Sequence, residues 1–153
     1  MDVSYILDDL NDAQRQAVTS ESKKLLVLAG AGSGKTKVLV HRIAWLIKAL
    51  SNSTHSILSV TFTNKAANEM TGRIEQILDQ PIPEMWCGTF HSISNRLLRR
   101  HYKEAGLEKD FSILDSDDQL RVIKRNLKEL DIEEDQWPAE KVRWQINNWK
   151  DEA

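Results

Sequence analysis

Leu25-Leu26-Val27-Leu28-Ala29-Gly30-Ala31-Gly32-Ser33-Gly34-Lys35-Thr36 is the stretch on which the reading of this chain turns. Leu25 to Leu28 is an unbroken apolar run, the pattern of a strand buried on both faces. Three of the six glycines follow within five residues, at 30, 32 and 34. Then come Lys35 and Thr36, and a helical pattern begins at once, with Val38, Leu39, Ile43, Leu46, Ile47 and Leu50 on one face. Strand, glycine turn, Gly-Lys-Thr and helix in that order is the context of a P-loop. Glycines let backbone N–H groups approach phosphate oxygens closely, and the helix N-terminus adds free donors and partial positive charge. Lys35 can reach the β- and γ-phosphates, and the Thr36 hydroxyl can sit on Mg²⁺. The strict pattern has glycine where this chain has Ala29.

Composition sets the outer bounds. With 153 residues, 29% charged and 41% apolar, the chain is globular in character and long enough for a real core. A net charge of −2 gives no global field favouring nucleic acid. The single cysteine, Cys87, excludes an internal disulfide framework and fits a reducing compartment. No apolar run reaches the length of a membrane span, and the start Met1-Asp2-Val3-Ser4 lacks a signal peptide's basic region. The expected location is the cytoplasm.

Upstream of the glycine turn, Leu10 to Val18 reads as a short helix with Asn11 as N-cap. Two roles are open to Gln14. It stands where a capping box needs it, and its carboxamide could pair with an adenine edge, donating and accepting at once.

Downstream, Ile57 to Phe62 reads as a second buried strand, so the intervening helix makes a βαβ unit and a parallel sheet. A helix from Asn64, its expected N-cap, to about Leu78 places Ala67, Met70, Ile74, Ile77 and Leu78 inward. Met85-Trp86-Cys87 is a third strand candidate. Ligands of open parallel sheets gather at the carboxyl ends of strands. Two such ends carry an aromatic ring and then polar groups: Phe62-Thr63-Asn64-Lys65 and Phe90-His91-Ser92. Each could stack a base, or each could be a core phenylalanine with a helix cap behind it.

From His91 to Lys103 the chain carries Arg96, Arg99, Arg100 and Lys103 without an acid, a phosphate-contacting face or a solvated one. Gly106 is the expected end of that helix. Ser116-Asp117-Asp118-Gln119 reads as a capping box opening a helix with Leu120, Ile123, Leu127 and Leu130 inward. Trp137-Pro138 sets off a last helix with Val142, Ile146 and Trp149 on one face, and Trp137, Trp144 and Trp149 read as packing residues. The tail is all helical, so the organisation changes near residue 90. His41 and His55 have no metal-ligating neighbours in sequence.

Four motifs in order carry a resemblance. Leu-Asn-x-x-Gln-x-x-Ala-Val at 10–18, Ala-Gly-Ala-Gly-Ser-Gly-Lys-Thr at 29–36, Val-Thr-Phe-Thr-Asn-Lys-Ala-Ala at 60–67 and Gly-Thr-Phe-His at 88–91 match the UvrD/Rep/PcrA family of superfamily 1 DNA helicases. The chain resembles the amino-terminal part of that family along its whole length. Ala29 is the family's usual residue at that position.

The resemblance implies a P-loop NTPase of the RecA-like α/β class. Residues 1–90 would be the first part of the ATP-binding domain, and 91–153 the start of an inserted helical subdomain. It implies ATP and Mg²⁺ as cofactors. Gln14 would read adenine, the loop Ala29, Gly30, Ala31, Gly32, Ser33 and Gly34 would cradle phosphate, and Lys35, Thr36 and Lys37 would lie at the nucleotide. Lys35 and Thr36 would be the catalytic pair, with Thr36 on the metal. Phe62, Asn64 and His91 would face single-stranded DNA. The implied activity of the intact protein is ATP-driven 3′ to 5′ translocation and duplex unwinding, in excision and mismatch repair, with repair proteins as partners and a nucleoid-associated location. The family's Mg²⁺-binding acidic pair and its second-domain arginines have no counterpart here, so the chain reads as an amino-terminal fragment, inactive alone. Two other readings remain: a complete small P-loop phosphotransferase with Asp115 as its acid, and a non-enzymatic nucleotide- or DNA-binding module.

Overall fold

The computed structural model describes residues 2–152. The chain divides into one unit up to Ala105 and another from Gly106. The first holds α1 (Asp12–Thr19), α2 (Lys35–Lys48), β1 (Leu58–Thr61), α3 (Asn64–Leu78), β2 (Trp86–Thr89) and α4 (Phe90–Arg100). The second holds α5 (Ser116–Glu129) and α6 (Ala139–Asp151).

The core of the first unit lies between α2 and α3. Val40, Ile43 and Ala44 of α2 meet Met70, Ile74 and Leu78 of α3, with Ile6, Ile82 and Met85 closing the ends. Both helices repeat apolar residues at three- and four-residue intervals, so one face of each is removed from water. Ile74 is completely buried. A smaller cluster, Leu10, Val18 and Val38, fixes α1 against α2. His41 is buried in α2, and its Nδ1–H donates to the Ile6 carbonyl. The inward face of α2 therefore differs from the expected one. Val40, His41 and Ala44 are buried, while Leu39 and Leu50 are exposed, because α1 and α3 flank the helix on two sides.

Strand β1, crossover α3 and strand β2 form a parallel βαβ unit, in place of the expected one that joins Leu25–Leu28 to Ile57–Phe62 through α2. The register is Leu58↔Trp86, Ser59↔Cys87, Val60↔Gly88 and Thr61↔Thr89. Side chains alternate across a strand. Ser59 and Cys87 turn toward α3, where the Ser59 hydroxyl donates to Met70 Sδ and the Cys87 thiol to the Ala67 carbonyl. Trp86 and Gly88 turn toward α4. A Cβ at Gly88 would lie 2.6 Å from Ser92 Oγ and 3.3 Å from Ile93 Cγ1, so α4 can sit this close only over a glycine. Arg96 of α4 lies over the Trp86 ring, 4.2 Å from its centroid. This guanidinium of the basic helix thus stacks on the sheet.

The Leu25–Leu28 run is not a strand here. Among the described residues β1 and β2 pair only with each other, and Leu26 and Leu28 are 80% and 85% exposed. An apolar run becomes a buried strand only with partners on its edges and cover on its faces. This run has neither among the described residues. For the same reason β1 has a strand partner on one edge only among the described residues, and Leu58 stays 58% exposed.

Two helix starts fall one residue earlier than expected. Thr63, not Asn64, caps α3 by accepting from Ala66 N–H, and Asp115, not Ser116, caps α5 by accepting from Asp117 and Asp118 N–H. In both cases the capping residue has extended backbone, as an N-cap requires. At the other ends, Asp79 closes α3 in the left-handed conformation, and α4 stops at Arg100, ahead of the turns that lead to Gly106.

In the second unit Ile123 and Leu127 of α5 pack on Ala139, with Leu120, Val142 and Ile146 around them. Leu130 stands at the helix end, 68% exposed. Trp137, Trp144 and Trp149 are also mostly exposed and line an apolar cleft of about 740 Å³ with Leu127, Ile132 and Val142. They are not core residues here, because two helices cover only one face of α6. No helix among the described residues is long and apolar enough to cross a membrane.

Candidate nucleotide and nucleic-acid site

The loop from Ala29 to Gly34 is built by its glycines and closed by its serine. Gly32 and Gly34 have φ of +75° and +84°, in the left-handed region that favours glycine. Ser33 N–H and its hydroxyl both donate to the Gly30 carbonyl, at 3.4 and 2.7 Å. Gly34 then starts α2 with no side-chain cap. Helices α1, α3, α4 and α5 all have a side-chain oxygen on their first N–H groups, from Asn11, Thr63, Thr89 and Asp115. The first turn of α2, like that of α6 behind Pro138, therefore has N–H donors that no side chain caps.

Lys35 folds back over this loop. Its ammonium donates to the carbonyls of Ala29 at 2.9 Å and Gly30 at 2.6 Å. A cation is thereby held at the loop mouth by neutral acceptors, which an anion can outcompete. Thr36, one residue into the helix, is exposed. Lys35 and Thr36 line a cleft of about 510 Å³ with Leu39, Thr61, Phe62, Glu69 and Arg73. The Lys37 ammonium is turned the other way and donates to the Asp9 carbonyl at 2.5 Å. Ala31 is exposed, as are Ala29, Gly30, Gly32 and Ser33.

Gln14 fills its capping role and touches the loop as well. Its Oε1 accepts from Asn11 N–H at 3.2 Å, and Asn11 Oδ1 accepts from Gln14 N–H at 2.9 Å. The remaining polar atom, Nε2, donates to the Ser33 carbonyl at 3.2 Å. The carboxamide therefore stands at the loop, where a nucleotide-reading group would have to be.

The second part of the site is the carboxyl end of the sheet. Phe62 and Phe90 follow the paired Thr61 and Thr89, one step beyond the last register pair. They are 90% and 59% exposed, so neither is a core phenylalanine. Their ring centroids are 6.2 Å apart with planes inclined by 53°. Asn64 begins α3 and His91 is the second residue of α4, both exposed beside the rings in sequence. The pairing of Phe90 with Phe62 is hidden in the sequence, because it depends on the register of two strands 28 positions apart. No group of three or more His, Cys, Asp or Glu side chains among the described residues could hold a metal ion.

A two-stranded parallel sheet with helices around it defines an α/β fold. The sequence matches the UvrD/REP helicase N-terminal domain over residues 10–153, and the chain belongs to that family. It is 57% identical over all 153 residues to DNA helicase II of Salmonella typhimurium strain LT2 and, equally, to that of Escherichia coli K12. It is 44% identical over 149 residues, 97% of the chain, to the ATP-dependent DNA helicase PcrA of Bacillus subtilis strain 168. The aligned regions cover 21%, 21% and 20% of those relatives, so the chain spans about a fifth of their length.

Proposed function

We propose that this chain is the ATP-binding amino-terminal part of an ATP-dependent DNA helicase. The observation that carries this reading is the Lys35 ammonium held at 2.9 and 2.6 Å over a glycine loop whose following helix has no side-chain cap. The names of the relatives support the rest: DNA helicase II and ATP-dependent DNA helicase PcrA.

The residues present fit a nucleoside triphosphate. Loop N–H groups from Ala29 to Gly34 and the first turn of α2 would take the phosphates. Lys35 would leave the loop carbonyls for the β/γ-phosphates, and the exposed Thr36 hydroxyl would join the Mg²⁺ shell. Lys37 would approach the nucleotide from its place beside Asp9. Gln14 would exchange its Ser33 contact for the adenine edge. Bound Mg²⁺ would supply charge neutralisation across the phosphates. Phe62, Asn64 and His91 would face single-stranded DNA at the sheet's carboxyl end.

Residues 1–90 would open a RecA-like domain and 91–153 an inserted helical subdomain. In the longer protein Leu25–Leu28 would gain strand partners and become part of a larger sheet. We further propose 3′ to 5′ translocation, duplex unwinding, work in excision and mismatch repair with repair proteins as partners, and a cytoplasmic, nucleoid-associated location. The test is strand displacement by the full-length protein on duplexes with a 3′ or a 5′ single-stranded tail. ATP-dependent unwinding of the 3′-tailed duplex is the expected result. Unwinding confined to the 5′-tailed duplex would reverse the direction, and none on either would remove the activity.

A further inference from the structure

We infer that Glu69 is a positioning residue of the nucleotide cleft: its carboxylate accepts from water in the shell of the bound Mg²⁺ and thereby makes triphosphate binding depend on the metal. The inference rests on the proposed reading of the glycine loop as a nucleotide site, and adds to it an acid from α3.

The cleft that holds Lys35 and Thr36 lies between the start of α2 and one flank of α3. Ala66, Glu69 and Arg73 line it from α3, at the three- and four-residue spacing that puts side chains on one side of a helix. They flank the buried Ala67, Met70 and Ile74. From α2 come Lys35, Thr36 and Leu39. Glu69 is the one acid among the residues lining this cleft. Its placement is not visible in the sequence, because Glu69 and Lys35 stand on different helices with a strand between them.

The carboxylate is open to a further partner. Among the described residues it pairs with Arg73, one helical turn on, at 3.9 Å, and both side chains are about half exposed. An exposed pair at this distance is weakly held. A carboxylate has about four acceptor positions, and one loose guanidinium leaves most of them unused. Charge then decides what the acid can do in this cleft. A carboxylate and a triphosphate repel each other unless a cation stands between them. Mg²⁺ keeps several waters when it binds phosphate oxygens, and such waters donate to nearby carboxylates. A single acid is enough for that role, since it acts through water. Arg73 brings positive charge to the same cleft, so removing the arginine and removing the acid should act in opposite directions on metal-free ATP.

The test is calorimetric titration of the 153-residue chain with ATP in excess Mg²⁺ and with ATP in EDTA. The ratio of the two affinities is the readout. Glu69→Gln keeps the size of the side chain and removes its charge, so MgATP should bind more weakly and metal-free ATP more tightly. The ratio should fall about 10-fold, the low end of what losing an outer-shell partner does to metal affinity. Arg73→Gln should weaken binding of metal-free ATP and leave the ratio at the parent's value or above it. Both variants should unfold at the parent's temperature, because both side chains are half exposed. A Glu69→Gln ratio equal to the parent's would overturn the inference and leave the nucleotide reading standing. A fall of the same size in Arg73→Gln would assign the effect to the ion pair and overturn the inference as well. A parent that binds ATP in neither condition would overturn the nucleotide reading, and the inference with it.

Discussion

The Gln14 carboxamide nitrogen donates to the Ser33 carbonyl at 3.2 Å, joining the helix upstream of the glycine loop to the loop itself. The same side chain closes the capping box on Asn11. One residue thus connects local helix stability to the glycine loop.

Gln14→Ala separates the two roles. Loss of the capping bond should lower stability by no more than about 1 kcal/mol, the usual scale of a cap. If Gln14 also reads adenine, the preference of the chain for ATP over GTP should fall, while affinity for inorganic triphosphate stays the same. Calorimetric titration of the three ligands measures this. An unchanged ATP-to-GTP ratio would leave Gln14 a capping residue alone.

Gly34→Ala should be costly for two reasons. Its φ of +84° is in the left-handed region, which costs an L-residue about 1–2 kcal/mol. The new Cβ would also lie 2.9 Å from Gln14 Nε2, forcing that side chain off the loop. Urea unfolding should show the loss of stability, and nucleotide binding should weaken in the same variant. A variant as stable as the parent would contradict the loop geometry.

Gly88→Ala tests the packing of α4 on the sheet. A methyl group 2.6 Å from Ser92 Oγ must displace either the helix or the serine. Overpacking of this kind costs about 1–3 kcal/mol. Gly88→Ala combined with Ser92→Ala should recover part of that loss, because the closest clash is gone while Ile93 remains. Thermal unfolding of the single and double variants is the check, and no recovery in the double variant would point to a different clash.

Much of this is legible in the sequence for definite physical reasons. The Asn11–Gln14 capping box and the inward face of α3 follow from local pattern, and the structure shows both, whereas the parallel βαβ unit runs through α3 and not, as expected, through α2. The Leu25–Leu28 run misleads because a strand is a property of its partners, and an apolar tetrapeptide cannot say whether they are present. The helix starts at Thr63 and Asp115 differ from expectation by one residue, since two adjacent polar residues could each cap. Of the nucleotide site, the loop and Lys35 are visible as residue types. The hold of Lys35 on the Ala29 and Gly30 carbonyls is not, because it depends on the loop's turn. The stacking of Arg96 on Trp86 is equally invisible, since it joins a helix to a strand that the sequence does not show facing it.

The 153-residue chain should release no phosphate from ATP above background, with or without single-stranded DNA. Phosphoryl transfer depends on positioning and on charge at the γ-phosphate. Lys35 and the loop supply part of that charge. An arginine finger alone contributes about 10³–10⁵ in rate in related enzymes. Asp115, the acid that could serve instead, accepts from Asp117 and Asp118 N–H at 2.9 and 2.7 Å and follows no strand among the described residues. Steady-state release that vanished in Asp115→Ala would support a small phosphotransferase instead.

The central claim is that the Ala29–Lys35 loop binds a nucleoside triphosphate, and calorimetric titration of MgATP into the chain and its Lys35→Ala variant tests it most directly. A hydrogen bond to a charged group is worth about 1.5–3 kcal/mol, so the variant should bind roughly 10- to 150-fold more weakly. Its thermal stability should stay near the parent's, because the substitution removes only two exposed hydrogen bonds to loop carbonyls. Equal affinity of parent and variant for MgATP would contradict the claim.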